Sequence, residues 1–354
     1  MVTFLDMCKI GAKDLGIFFF TRGRKLKVLN KYLVFFQKKV LKNSKMIGYP
    51  YEILMDPTNL CGLQCTLCPT GQKNPSRPKT VLKFEDAKKI LDKLGKYATN
   101  LYLTNWGEPL LNKDVFKIIN YAHDKEKMFV YMSTTLNKID EKMVEQIAES
   151  SLDSLTVSLD GASQETCQKY QVGVEFDKVI DRVKRIAARK KALGKTTPRI
   201  EWRFIVFNHN EQEITKAKQT YKQLGFDSLE LAGARCDMGK EIFMNLNQQF
   251  ESVKDKLPKN EKYSLYDYKK QQKKRVLKDT CSFLWTQVTI NSDGSVSPCC
   301  AVYNKAHDFG NILEEGFDNI WNNKKYVTAR KVVAGKGGIT PTVCQACYKN
   351  QAML

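Results

Sequence analysis

Histidine is nearly missing from this chain: His123, His209 and His307 are the only three in 354 residues. That excludes chemistry built on several imidazoles, and with it a zinc site held mainly by histidine. Long apolar runs are missing too. The longest, around Ile17–Phe20 and Tyr32–Phe36, are broken within a few residues by Arg and Lys. A membrane span needs roughly eighteen apolar residues in a row. The N-terminus also lacks a basic start, a long apolar stretch and a small-residue cleavage site in that order. A cytoplasmic protein is expected. No internal repeat or low-complexity tract interrupts the chain, and 42% hydrophobic with 27% charged residues is the balance of a globular protein.

Cysteine and positive charge are plentiful. Eleven cysteines in a cytoplasmic chain call for a role other than disulfides. The net charge of +20 is uneven: residues 1–50 contribute +9 and residues 251–278 contribute +6. A solvated basic surface and attraction of an anionic substrate or surface both fit that excess. Nucleic acid is not an expected partner.

Between residues 51 and 232, strand-like runs alternate with amphipathic helical runs. The strands read as Tyr51–Met55, Asn100–Thr104, Phe129–Ser133, Ser154–Leu159, Arg199–Phe207 and Ser228–Leu231. Helical patterns lie between them, at about Lys83–Lys96, Lys113–Lys125, Glu141–Ser150, Phe176–Leu193 and Glu211–Leu224. Six strands alternating with five helices predict an α/β fold with a parallel sheet, closed as a barrel or left open as a partial one. Chemistry in such folds sits at the C-terminal strand ends.

Residues 233–280 are polar and Lys/Gln-rich (QQKKRVLKD is typical) and read as a partly helical linker. A compact second domain is expected over 281–354, with strands at Thr286–Ile290 and Ser295–Pro298 joined through Ser292-Asp293-Gly294. A short helix is expected near Gly316–Trp321. Residues 1–50 read as a basic helical extension, in which Leu26, Leu29, Leu33, Phe36 and Val40 recur at helical spacing among lysines. The expectation is that this apolar stripe packs on the barrel. The alternative is a helix on an anionic membrane surface or partner, which would make the protein peripheral to a membrane.

After the first strand comes Cys61-Gly-Leu-Gln-Cys65-Thr-Leu-Cys68. A loop this short can turn three thiolates inward onto one cubane cluster, and Fe–S clusters commonly take four Cys ligands. Three would leave one iron open; zinc is the alternative reading. This C-x₃-C-x₂-C run, with Ile53–Leu60 before it and Pro69 after, resembles the signature of the radical S-adenosylmethionine (SAM) superfamily. The resemblance implies a partial (β/α)₆ barrel with a [4Fe–4S] cluster whose open iron binds SAM. It also implies reductive cleavage of SAM to a 5′-deoxyadenosyl radical, which takes a hydrogen atom from the substrate, and an external flavodoxin- or ferredoxin-like electron donor. Gly107-Glu108-Pro109 matches the family's GEP motif. Ser133-Thr134-Thr135-Leu136-Asn137 stands where a Thr-Asn-Gly-like segment is usual, with Asn137 shifted, and Val157-Ser158-Leu159-Asp160-Gly161 matches the fourth-strand motif. By resemblance Gly107, Glu108, Pro109, Ser133, Asn137, Ser158 and Asp160 become candidate SAM or substrate contacts. Many relatives carry an Arg where this chain has Gln171, so Arg203 becomes the candidate for the SAM carboxylate.

Cys281, Cys299, Cys344 and Cys347 are separated by 17, 44 and 2 residues. With Gly294 five residues before Cys299, they resemble the SPASM/twitch C-terminal domain of radical SAM enzymes, in the form with one auxiliary [4Fe–4S] cluster. A structural zinc site is the alternative. Cys300 competes with Cys299 as ligand, although neighbours on a strand face opposite ways. Cys8, Cys167 and Cys236 have no partner at useful spacing, and Cys167 reads as a small core residue.

A fully ligated auxiliary cluster points to electron transfer. The expected reaction is two-electron oxidation of a hydroxyl-bearing carbon in a sugar, cyclitol or glycoconjugate. The alternative is modification of a precursor peptide by crosslinking, epimerisation or oxidation. A non-catalytic Fe–S protein is a third reading, disfavoured by the GEP and SLDG segments.

Overall fold

The computed structural model describes residues 25–235, 240–274, 281–336 and 342–350. Cys8, Cys236 and most of the QQKKRVLKD run lie outside the described residues. The first described element is helix α1 (Lys25–Lys39).

Six strands then run in parallel: β1 (Glu52–Met55), β2 (Asn100–Leu103), β3 (Phe129–Thr134), β4 (Ser154–Ser158), β5 (Arg199–Val206) and β6 (Ser228–Gly233). Helices α2 (Phe84–Leu94), α3 (Val115–Asn120), α4 (Glu141–Glu149), α5 (Phe176–Ala192) and α6 (Ile214–Thr220) occupy the crossovers. The expected elements therefore appear, within a few residues at their ends. In α5 the reason is plain: Val179, Ile180, Val183 and Ile186 fall on one buried stripe, and Arg189, Lys190 and Lys191 close the last turn, where cations suit the helix dipole.

Period-two alternation separates the two faces of the sheet. Leu101, Leu103, Val130, Met132, Leu155, Val157, Trp202 and Phe204 are buried in the main core. The intervening positions, Tyr102, Tyr131, Ser133, Ser158 and Arg203, are only half-buried. They form the inner, polar face of an open partial barrel.

The C-terminal segment continues this sheet. Strand β7 (Gln287–Ile290) pairs parallel with β1, β8 (Ser295–Ser297) pairs antiparallel with β7, and β9 (Gly310–Asn311) pairs antiparallel with β8. The order is β9-β8-β7-β1-β2-β3-β4-β5-β6. Gly294 makes the β7–β8 turn at φ +79°, a left-handed conformation that a side chain would strain.

Two expectations need correction. Part of the supposed linker is folded: helix Leu246–Glu251 and a two-strand ladder (Tyr266–Asp267 with Gln272–Lys273) enclose a small core of Phe250, Val253, Leu257 and Tyr266. Helix α1 is turned the other way from its expected packing. Leu26, Leu29, Leu33, Phe36 and Val40 are exposed, whereas Lys27, Asn30, Val34 and Gln37 are buried. Polar recognition decides this orientation. The Lys27 ammonium donates to the Glu126 carbonyl at 2.7 Å, and Asn30 exchanges two hydrogen bonds with the Tyr49 backbone. Gln37 accepts from the Gly48 amide at 3.0 Å. These four hydrogen bonds to three backbone partners fix the polar face of α1 inward.

Candidate functional site

The three-cysteine loop leaves the C-terminal end of β1. The Thr58 hydroxyl donates to the Thr80 carbonyl and accepts from the Leu60 amide, and Asn59 bonds both Pro78 and Thr80. On the other side, the amides of Gln64 and Thr66 donate to the carbonyls of Val172 and Tyr170. The loop is thereby pinned at both flanks. Inside it, the Cys68 amide donates to the Cys65 carbonyl and the Leu63 amide approaches the Cys61 sulfur at 3.5 Å.

The thiols are electrostatic neighbours. Burial pushes the Cys61 thiol up to about 11, and the charges of Glu108 and Cys68 add to the rise. Burial likewise raises Cys65, with Cys68, Asp160 and Cys61 adding to it. Cys61 and Cys65 are thus poor thiolates by themselves, and coordination to a cationic centre deprotonates such thiols. Among the described residues no three His, Cys, Asp or Glu side chains are arranged to hold a single metal ion; a cubane spreads its ligands more widely.

Gly107-Glu108-Pro109 follows β2 and lies directly on this loop. A Cβ added at Gly107 would sit 1.8 Å from the Thr58 carbonyl oxygen, so only glycine permits the approach. The Glu108 amide donates to the Leu60 carbonyl at 2.8 Å. Its buried carboxylate accepts from the Thr134 hydroxyl, the Thr135 amide and hydroxyl, and the Leu110 amide. Burial raises its pKa while those donors oppose the rise. Glu108 thus ties the loops after β1, β2 and β3 together. Thr134 and Thr135 are its partners, a role the sequence did not reveal.

The remaining candidates divide. Ser133 and Ser158 meet across the inner face, their hydroxyl oxygens 3.4 Å apart. Arg203 pairs in register with Ser158, and its guanidinium binds Glu230 at 2.7 Å. Asp160 is fully buried: it accepts from the Ile205 amide at 2.7 Å, and burial lifts its carboxyl to about 7. The Asn137 amide is occupied by the Gly173 carbonyl and the Glu175 amide, so the structure uses it as a tie between loops. Gln171 bridges the Ser158 carbonyl and the Asp160 amide.

The second cysteine group surrounds an apolar pocket. Cys281, Cys299, Cys344 and Cys347 line it together with Ile242, Leu284, Val302 and Val333. Burial raises the Cys299 thiol well above its ordinary value, and Cys300, Cys344 and Cys281 add to the rise. Cys300 does not line the pocket. Cys167 is buried in the core, as expected of a small apolar residue.

Arg77 and Tyr303 link the segment after Cys68 to the segment around Cys299. The Arg77 guanidinium donates to the Tyr303 carbonyl, Ser295, Ser297 and Asp308. The Tyr303 ring stands edge-on to Trp106, with centroids 5.1 Å apart. With its amide turned so that the oxygen accepts from the Trp106 indole N–H, Asn105 donates to the Cys300 carbonyl at 3.1 Å.

The radical SAM superfamily model matches residues 55–200, and the iron–sulfur cluster-binding SPASM model matches residues 281–348. Together they span more than half of the chain. The chain belongs to the radical SAM superfamily. It is an enzyme of the SPASM type, and its two domains imply a SAM-binding [4Fe–4S] cluster, auxiliary iron–sulfur ligation and SAM itself. Among curated relatives it is 28% identical over 181 residues to the AdoMet-dependent heme synthase of Methanosarcina barkeri. That match covers 51% of this chain and 49% of the relative. A second relative, the Fe-coproporphyrin III synthase of the same organism, is 30% identical over 42% of this chain and 34% of its own length. The matches thus span about half or less of these relatives. Among solved structures, Streptococcus suis SuiB bound to S-adenosylmethionine has a TM-score of 0.59 at 17% identity, covering 83% of this chain and 70% of SuiB. BtrN in complex with AdoMet and 2-DOIA has a TM-score of 0.50 at 16% identity, covering 85% and 93%. Both are likenesses of fold.

Proposed function

We propose that this radical SAM enzyme oxidises a hydroxyl-bearing carbon of a sugar, cyclitol or glycoconjugate to a carbonyl. The observation that carries this reading is the pocket lined by Cys281, Cys299, Cys344 and Cys347. Four thiols saturate a cubane and leave no iron for substrate, so electron transfer is the function left to that site. Cys61, Cys65 and Cys68 would hold the SAM-binding cluster, and the four pocket cysteines the auxiliary one. Once bound, these groups would supply hydrogen-atom abstraction from carbon and an acceptor for the second electron. The hydroxyl proton leaves to solvent or a base, completing loss of two hydrogens and two electrons.

The chain's own residues suit a hydroxyl-rich substrate. Ser133, Ser158, Tyr102, Tyr131 and the Arg203–Glu230 pair present donors and acceptors on the inner barrel face. Arg203 lies two positions from Glu201, which accepts from Thr156 at 3.1 Å. These contacts give fixed orientations to a ligand that offers several hydroxyls. The test supplies the reconstituted enzyme with SAM, reductant and a panel of hexoses, nucleotide-linked hexoses and aminocyclitols. A product lighter by two hydrogens, formed in step with 5′-deoxyadenosine, is the expected result. A product of unchanged mass, or turnover only with peptides, would replace this reading with epimerisation or peptide maturation.

A further inference from the structure

Helix α1 presents its apolar face to solvent and its polar face to the protein. Leu29 is 65% exposed and Val40 59%, and Leu26, Tyr32, Leu33 and Phe36 are also exposed. The patch continues past the helix into Leu41 and Ile47, the latter 76% exposed. Single exposed leucines need no explanation, but a contiguous stripe of this kind marks an interaction surface.

The charge beside the stripe identifies the partner. Lys25, Lys39, Lys42 and Lys45 are exposed along the same segment, and residues 1–50 carry a net +9 in a chain of net +20. An apolar face flanked by lysines is the composition of a helix that lies in the plane of a bilayer. Its side chains enter the headgroup boundary while the ammonium groups meet lipid phosphates. A protein partner would need a matching groove. A lipid surface needs only apolar area and negative charge, which this segment complements without further shape. The polar docking of Lys27, Asn30 and Gln37 holds the helix on the barrel with its apolar face outward. No described helix is long and apolar enough to cross a membrane, so the association would be interfacial.

We infer that the outward face of α1, extended through Ile47, docks this enzyme on anionic phospholipid. The test is co-sedimentation of the full chain with vesicles of phosphatidylcholine alone and of phosphatidylcholine with phosphatidylglycerol. Wild type should bind the anionic vesicles at least tenfold better than the neutral ones, and 1 M salt should weaken that binding, because the Debye length falls to about 3 Å. Leu29→Ser/Leu33→Ser/Phe36→Ser and, separately, Lys39→Gln/Lys42→Gln/Lys45→Gln should each reduce binding at least tenfold. All these side chains point outward, and an unchanged thermal melt would show that the fold is intact. Wild type that fails to bind, or a triple serine variant that binds like wild type, would overturn the inference. So would a wild-type dimer that the serine variant converts to monomer without any vesicle binding, since the face would then belong to a second copy.

Discussion

Arg77, nine residues beyond the third cysteine of the catalytic loop, meets the Asp308 carboxylate at 2.7 Å with both side chains buried. The same guanidinium reaches Ser295, Ser297 and the Tyr303 carbonyl. One side chain thus fastens the segment after Cys68 to the hairpin that leads to Cys299.

A buried pair of this kind is costly to break from one side, because the surviving charge stays uncompensated. Arg77→Met should destabilise the protein by about 3–5 kcal/mol in urea unfolding. Arg77→Met/Asp308→Leu should recover part of that loss. A double variant no more stable than the single one would show that the hydroxyl and carbonyl contacts, not the ion pair, dominate.

Glu108 should behave as a fastener of loops. Glu108→Gln places an amide where four donors converge, and losing hydrogen bonds to a charged acceptor costs about 1.5–3 kcal/mol each. The expected result is a lower melting temperature together with slower 5′-deoxyadenosine formation. Wild-type stability in this variant would mean that the threonine contacts carry no load.

Asp56 gives a pH signature. Its carboxyl is fully buried, and burial raises it to about 8, with the amides of Trp106 and Gly107 and the charge of Arg77 only opposing the shift. The unfolded chain titrates near 3.9. Between those values the folded state holds a proton that the unfolded state has released, so this group's contribution to stability falls as pH rises from about 4 to 8 and then levels off. Asp56→Asn removes that dependence. The stability of the variant relative to wild type should therefore grow between pH 5 and pH 8, measured by denaturant unfolding at each pH. A difference that does not change with pH would contradict the buried-acid assignment.

Cys299 and Cys300 should separate cleanly. Cys299→Ala should lose about four irons, the content of one cubane, because Cys299 lines the pocket. Cys300→Ala should keep the full complement. Equal iron loss in both, or loss only in the second, would move the ligand to Cys300.

Much of the barrel was legible because parallel strands and amphipathic helices alternate with little ambiguity, and the cysteine spacings name their chemistry locally. What was hidden depended on long-range partners. The burial of Lys27 and Gln37 depends on the backbones of Glu126 and Gly48, which no periodicity reveals; helical spacing alone pointed the leucines inward. The hydrogen bonds of Asn137 with Gly173 and Glu175 likewise carry no signal in its motif position. Arg77 carried no signal at all, since its partners lie more than two hundred residues away. The pairing of β7 with β1 likewise joins segments that read as separate.

The most direct measurement combines iron content with SAM cleavage in three proteins: wild type, Cys61→Ala/Cys65→Ala/Cys68→Ala, and Cys281→Ala/Cys344→Ala. With two separate cubanes, wild type should hold about eight irons per chain and each variant about four. Only the first variant should lose reductive formation of 5′-deoxyadenosine altogether. Undiminished 5′-deoxyadenosine from the protein lacking Cys61, Cys65 and Cys68 would contradict the account at its centre.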